Sequence, residues 1–381
     1  MSVTRVESDP VVSRTTEFVE RKGLGHPDTL CDGIAEAVSR ALSQRYLEEF
    51  GRVLHHNTDS VQLVAGDTAP AFGGGEIREP PTLYLGGQAT QRVGETAVPV
   101  ADIAETAARE YMASNLELLP ADRVEVVVDV SETSSDLEAL FERDEHVNAN
   151  DTSVGVGYAP FSETERIVRT LEPRVREEST AVGEDVKIMG IRSDGELHLT
   201  VAAAVIGRRV ASIEAYLDVV KSIRELAEQH ARDRTDLDVA VNVNTADDPD
   251  AGEVYLTETG LSAETADDGA VGRGNRNNGL ITPHRPMSIE ATAGKNPVSH
   301  VGKLYNLLAT RTAEQVATEL DADYAEISLC SEIGSPITKP LAADVVTTVD
   351  DTDAVTRLVR DEISRIEALT ERVLAGEVDL F

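Results

Sequence analysis

Apolar and polar positions along this chain repeat with two periods, and the longest helical pattern comes early. From Pro27 to about Glu49, residues Leu30, Ile34, Ala37, Val38, Ala41 and Leu42 recur at helical spacing. Pro27 suits the first turn, where a missing N–H costs nothing. The opposite face of this predicted helix carries Asp28, Asp32 and Glu36 at steps of four. Further helices are predicted at about 100–115, 212–231, 301–320 and 352–375. Runs rich in β-branched and apolar residues predict strands at 61–65, 83–85, 124–130, 197–206 and 237–243. A helix, a short acidic turn and a strand recur at 101–130 and 216–243, which points to duplicated units of an α+β fold.

Composition narrows the class. The 381 residues exceed what one hydrophobic core holds, and 41% apolar content is enough for real cores. Neither a linker nor a low-complexity tract interrupts the chain. Apolar runs all fall short of the roughly 20 residues a membrane helix needs. The opening MSVTRVESDPVVSRTTEF carries no secretory apolar segment, so a cytoplasmic protein is expected. Cys31 and Cys330 are far apart and read as reduced core residues rather than a disulfide or metal pair.

Charge changes the picture more. The net charge is −34, from 35 basic against 69 acidic residues, with the acids spread along the chain. Such a field repels nucleic acid and anionic membranes, and neither is expected as a partner. It fits a solvated surface adapted to high salt better than a surface for a basic partner. A nucleotide site would have to concentrate positive charge locally. Lysine is scarce, limited to Lys22, Lys187, Lys221, Lys295, Lys303 and Lys339, so its placement is informative. A lysine offers a compact charge and three donors, which suits polyphosphate oxygens.

Four segments could carry chemistry. In Glu20-Arg-Lys-Gly-Leu-Gly-His-Pro-Asp28, two glycines let backbone approach a ligand before a helix N-terminus. Asp28 can hold Mg²⁺ and His26 can donate to a leaving oxygen, or both can simply cap the helix. In Asp267-Asp-Gly-Ala-Val-Gly-Arg-Gly-Asn-Arg-Asn-Asn-Gly279, a Gly/Asn-rich loop bears Arg273 and Arg276 behind two acids. It can form a phosphate nest, but it lacks the GxxxxGK[ST] spacing of a P-loop. In Ala293-Gly-Lys-Asn-Pro-Val-Ser-His-Val-Gly-Lys303, basic residues crowd a helix start, a mismatch that a bound anion would relieve. Gly183-Glu-Asp-Val-Lys187 alone reads as a turn feeding a strand. Gly73-Gly-Gly75 and His55-His-Asn-Thr-Asp59 are suggestive but unspecific, and the latter lacks a third nitrogen or sulfur ligand for zinc.

Together these segments resemble the S-adenosylmethionine synthetases, specifically their archaeal branch. Matching stretches run in order through nearly the whole chain: VERKGLGHPDTLCDGIAEAVSRAL, VLHHNTDSVQLVAG with FGGG, NDTSVGVGYAPFSETERIV, AVGEDVKIMGIR, VNTADD, DDGAVGRGNRNNGLITPHRPMSIEATAGKNPVSHVGKLYN and IGSPITKP. The resemblance implies one unit over 1–381, built of three interleaved α/β-sandwich subdomains related by pseudo-threefold symmetry, roughly around 20–130, 131–245 and 246–381. It also implies ATP and L-methionine as substrates, Mg²⁺ and often K⁺ as cofactors, and a homodimer with sites at its interface.

The same resemblance distributes roles. His26 would bond the bridging oxygen leaving C5′ of ATP, and Asp28 and Asp267 would be Mg²⁺ carboxylates, with Glu20 at the spacing of a further metal-site acid. Lys187 would contact the polyphosphate near the reacting carbon, beside Asp185 as a nucleotide contact. Arg273 and Lys295 would hold the tripolyphosphate, with Arg276 and Lys303 as further contacts. Ser131, Glu132, Thr133, Ser134, Ser135 and Asp136 stand where the archaeal family has a GQGSxDL segment; the Asp-Leu end matches and the glycines do not. Thr29 stands where the bacterial branch has lysine. Ser299 faces that branch's second GKDP-region lysine, leaving His300 or Lys303 as the substitute. The competing readings are another ATP-dependent phosphoryl-transfer enzyme and a non-catalytic acidic nucleotide-binding protein.

Overall fold

A computed structural model describes residues 1–133, 147–265 and 267–381. Its strands assemble into three principal sheets of one design, beside two small hairpins, β4 (Asp67–Ala69) with β5 (Glu76–Glu79) and β7 (Arg92–Val93) with β8 (Thr96–Ala97), and the short β14 (Leu256–Thr257). In the first, β3 (His56–Val64) and β6 (Thr82–Ala89) pair antiparallel, β9 (Glu125–Glu132) lies parallel to β6, and the short β15 (Gly269–Ala270) runs antiparallel on β3. The second repeats this with β11 (Val182–Ser193), β12 (Glu196–Ile206), parallel β13 (Asp238–Val243) and antiparallel β2 (Thr16–Lys22). The third uses β16 (Ala325–Cys330), β17 (Ala342–Thr347), parallel β1 (Ser2–Arg5) and antiparallel β10 (Val154–Ala159).

The three sheets exchange strands in a ring. Each repeat reads strand, helix, hairpin, helix, strand, but its first strand joins the sheet of the next repeat: β2 that of β11, β10 that of β16, and β15 that of β3. The N-terminal β1 completes the last sheet. This interleaving is the pseudo-threefold α+β architecture expected, and the weak helix-turn-strand repeat was its trace.

Each sheet is covered by helices over its own core. Leu63, Leu83 and Leu85 of the first sheet pack beneath α1 (Pro27–Phe50) and α2 (Val100–Asn115). Ile188, Leu199 and Val201 of the second lie beneath α3 (Glu163–Glu178) and α4 (Ile213–Arg232). Ile327, Leu329 and Val345 of the third lie beneath α5 (Val301–Glu319), α6 (Thr352–Ser364) and α7 (Glu367–Ala375). Large aliphatic residues buried this way each stabilise by about 1.5–3 kcal/mol.

The predicted helices and strands fall on these elements, with one helix divided, while β1, β2, β10, β16, β17 and α3 have no counterpart among the predicted elements. The single helix expected over 352–375 breaks at Arg365 and Ile366, letting α6 and α7 lie separately on the third core. Helix α3 carries Pro173 in its interior, a residue that ordinarily argues against a helix. Its apolar stripe Ile167, Val168, Leu171 and Val175 is fully buried, and that burial outweighs the lost bond. No helix among the described residues is long and apolar enough to cross a membrane.

Candidate active site

The face of α1 opposite its apolar stripe is buried too. Asp28, Asp32 and Glu36 are 1%, 2% and 6% exposed. A buried carboxylate needs partners, and incoming segments supply them, one loop to Asp28 and Asp32 and another to Glu36. Asp28 accepts from Lys22 Nζ (2.8 Å), Ala270 N (2.9 Å) and Arg273 Nε (2.8 Å). Asp32 accepts from Gly272 N (2.8 Å), while burial pushes its carboxyl up to about 7. Glu36 accepts from Lys303 Nζ (2.6 Å) and Gly294 N (3.1 Å). The helix is therefore a spine between two loops, 267–279 and 293–303.

The glycines before α1 are required by close approach. Gly23 N and Gly25 N donate to Val186 O and Glu184 O, both at 2.8 Å, so the loop zips along β11. A Cβ would stand 2.5 Å from Val186 O at Gly23 and 2.5 Å from the Glu184 carbonyl carbon at Gly25. The two motifs thus meet, and the β2–β11 register sets Lys22 opposite Lys187. Asn275 clamps the Arg-rich loop to the same strand, accepting from Lys22 N (2.9 Å) and donating to Lys22 O (2.8 Å).

His26 caps α1: its Nδ1 accepts from Asp28 N at 3.2 Å. That bond leaves the proton on Nε2, which points toward Asp267 Oδ2 at 3.5 Å. Burial, then the Lys22 charge, hold the ring down at about 3 against the pull of Asp28, so it is a neutral donor. Burial works to raise Asp28, but the Lys22 hydrogen bond and the Ala270 N–H outweigh it and keep the carboxyl below its usual range. Asp267 is half-exposed and shifted up, by burial and then by the nearby Asp28 charge. Lys187 pairs with Glu20 at 2.9 Å, and Arg273 reaches Asp268 O. Lys187, Asp267 and Arg273 keep 40%, 44% and 55% of their side chains open. They rim a mouth into which the His26 N–H points.

Of the remaining expected residues, Asp185 stands near enough to feel Asp267 and Lys187, and the others lie elsewhere. Asp185 is buried and accepts from Ser262 N (2.8 Å) and Ser262 Oγ, with burial holding its carboxyl up at about 6. Arg276 folds back onto its own loop, donating to Gly272 O and Gly274 O (2.9 Å). Lys295 is buried in ion pairs with Asp59 and Glu290 (3.2 Å). Its carbonyl accepts from Ser39 Oγ, roughly 16 Å along α1 from Asp28. Lys303 is wholly buried on Glu36, roughly 12 Å from Asp28. The anion that relieves this basic helix start is, within one chain, a set of internal carboxylates. Ser131 and Glu132 end β9 exposed, and Thr133 meets His55 Nδ1 at 3.2 Å. Ser134, Ser135 and Asp136 lie outside the described residues. Two members of the cluster went unassigned from sequence, Lys22 and Asn275; the scarcity of lysine was the available signal for the first.

A model of the S-adenosylmethionine synthetase (AdoMet synthetase) family matches residues 1–377. The chain belongs to the S-adenosylmethionine synthetase family. It is 48% identical to an S-adenosylmethionine synthase of Natronomonas pharaonis, with 100% of both chains covered. One from Halobacterium salinarum is also 48% identical, covering 100% of this chain and 99% of that one. Another, from Pyrococcus furiosus, is 47% identical over 90% of this chain and 88% of its own. A solved structure of an S-adenosylmethionine synthetase from Campylobacter jejuni shares the fold, with a TM-score of 0.64 at 16% identity over 94% of this chain and 90% of that one. The protein is an ATP-binding transferase that forms S-adenosylmethionine from ATP and methionine.

Proposed function

We propose that the reaction takes place at the mouth formed by His26, Lys187, Asp267 and Arg273. There the methionine sulfur attacks C5′ of ATP in line, and the departing tripolyphosphate is hydrolysed to phosphate and diphosphate. A neutral thioether is a modest nucleophile, so positioning and stabilisation of the leaving group supply most of the acceleration. The observation that carries this reading is the fixed tautomer of His26. Its Nδ1 is held by the Asp28 amide, so Nε2–H stays available to the bridging oxygen as charge develops there. Lys187 and Arg273 flank that donor with open cationic side chains for the polyphosphate.

The donor set fits Mg²⁺, which takes one or two carboxylates and keeps waters or phosphate oxygens for the rest. Asp28 and Asp267 would hold it, with Glu20 nearby; burial first and then the Asp28 charge shift the Asp267 carboxyl up, and Arg273 pairs with both acids within the chain. When bound, the ion neutralises phosphate charge. K⁺ is proposed as a further cofactor from the family resemblance.

Lys295 and Lys303, and the nucleotide contacts Ser131 to Asp136, Asp185 and Arg276, are proposed as site residues on the same grounds. Within one chain the Lys295 backbone sits against Ser39, roughly 16 Å along α1 from Asp28. A site assembled from two copies reconciles that with a shared tripolyphosphate, and we take the active form to be a homodimer acting in the cytoplasm. The chain would work as one unit whose interleaved subdomains divide near 130 and 245.

The test is purified protein in high-KCl buffer with Mg²⁺, ATP and methionine, with products separated by chromatography. S-Adenosylmethionine with equal phosphate and diphosphate is expected. ADP as the product would overturn the reading in favour of phosphoryl transfer.

A further inference from the structure

On the far side of the Arg-rich loop, a groove of about 550 Å³ opens between α3, α4 and the turn at Gly279. In a chain of net charge −34, four arginines line it: Arg21, Arg169, Arg174 and Arg234. The acids in its lining are Glu177 and Asp379. Arg21 is neutralised by buried Glu172 (2.9 Å) and Arg174 by Glu178 (2.7 Å). Arg169 and Arg234 have no carboxylate within ion-pair distance among the described residues. Arg169 donates to Asn278 O (3.0 Å) and lies over the Phe161 ring, and Arg234 donates to His230 O (2.9 Å). Guanidinium groups hydrogen-bonded only to neutral carbonyls keep most of their donors for a ligand, with Glu314 the nearby acid that feels the Arg169 charge.

The groove is also organised from behind. His230 is buried, and Arg174 Nη1 donates to its Nδ1 (3.3 Å). Its Nε2–H therefore donates to Thr170 Oγ1 (3.0 Å), which donates in turn to Arg166 O (2.7 Å). That relay fixes the Arg174 arm toward the groove. Burial, then Arg234 and Arg174, hold His230 down at about 4.

We infer that this groove binds a phosphate-type oxyanion, held chiefly by Arg169 and Arg234 and completed by Arg174. The site is separate from the catalytic mouth but not isolated from it. Arg21 Nη1 donates to Gly279 O (2.6 Å) and Arg169 to Asn278 O, so two arginines of the groove hold the end of the loop that bears Arg273. Phosphate and diphosphate, the anions the proposed reaction releases, belong to the ligand class recognised here.

The full chain with ¹³C-labelled histidine tests this, with His230 assigned by His230→Gln and inorganic phosphate titrated at constant high KCl. A bound anion offsets the arginine field, so the His230 signals should shift saturably and the ring pKa should rise. Arg169→Gln and Arg234→Gln should each weaken that response at least tenfold, and Arg234→Gln should leave methionine-dependent turnover intact. Sulfate should compete. A phosphate response confined to His26, with His230 unmoved, would assign all binding to the catalytic mouth and overturn the inference. So would an equal shift from added KCl alone, or a full response in both variants with the other histidine signals native.

Discussion

Two helices of this molecule begin with a histidine cap, and they do opposite things with it. At α1, His26 Nδ1 accepts from Asp28 N; at α5, His300 Nδ1 accepts from Gly302 N at 3.1 Å. Both helices lead their repeats, and both rings are held neutral, first of all by burial. The residues just downstream of each cap make the difference. After His26 comes an acid whose neighbours open to solvent; after His300 comes Lys303, wholly buried on Glu36 of α1. In the proposed reading one helix start faces a ligand, while the other locks two repeats together. The same local device therefore says nothing about function until its surroundings are known.

The largest expected effect breaks the locking end. Lys303→Met leaves Glu36 as a buried charge whose other partner is one backbone N–H, which costs about 3–5 kcal/mol. Chemical denaturation in high KCl measures it. Lys303→Met with Glu36→Gln should recover most of the loss, because no charge is stranded. A single variant as stable as the parent would mean that the pair is open to water.

Next in size is the catalytic end. His26→Asn keeps a side chain able to cap α1 but withdraws the Nε2 donor. A loss of about 10²–10³ in kcat is expected, the range for removing one transition-state donor, with thermal stability nearly unchanged. His300→Asn is the counterpart, expected to leave kcat near the parent value. Equal losses in both would erase the distinction.

That distinction was only half legible in the sequence. The stripe on α1, the HPD turn and the glycine loops were readable because period, caps and turns are local. The burial of Asp28, Asp32 and Glu36 was not, because an acidic face at steps of four normally faces water, and only the arrival of loops from about 240–270 positions away encloses it. The strand exchange was hidden for the same reason: β10 and β15 are partnered far along the chain. The internal partner of Lys303 was hidden in the same way, because Glu36 belongs to another repeat.

Acid tests both ends at once. A histidine with a folded pKa of about 3 and an unfolded value near 6.5 binds protons first in the unfolded chain. Its contribution is present above pH 6.5 and is lost as pH falls from there toward 3. For fully buried His56, also held at about 3 by burial, this amounts to about 2 kcal/mol between pH 7.5 and 5. Unfolding free energies of the parent and His56→Asn across that range should converge on acidification. For His26 the matching readout is NMR: its ring should stay neutral to about pH 4. An acid limb of kcat near 6.5 that tracks its protonation would contradict the neutral-donor role.

The smallest effect comes from the helix start of the second repeat, which makes the comparison a controlled one. Helix α3 is capped by Ser162, whose Oγ accepts from Glu165 N (3.1 Å) while Glu165 reaches back to Ser162 N (2.6 Å). There is no imidazole here, the buried first-turn acid Glu165 is taken up by the cap and by Arg285, and Ser162 Oγ donates to buried Glu17. Ser162→Ala should cost about 1 kcal/mol, the usual value of a lost hydroxyl cap, with kcat and KM unmoved. Glu17 retains Arg192 at 3.2 Å, so no buried charge is stranded and the loss should not approach that of Lys303→Met. Should Ser162→Ala instead depress kcat as His26→Asn does, helix integrity rather than the imidazole donor would be limiting turnover at α1. Only the serine cap, which has no chemistry to lose, separates those two causes.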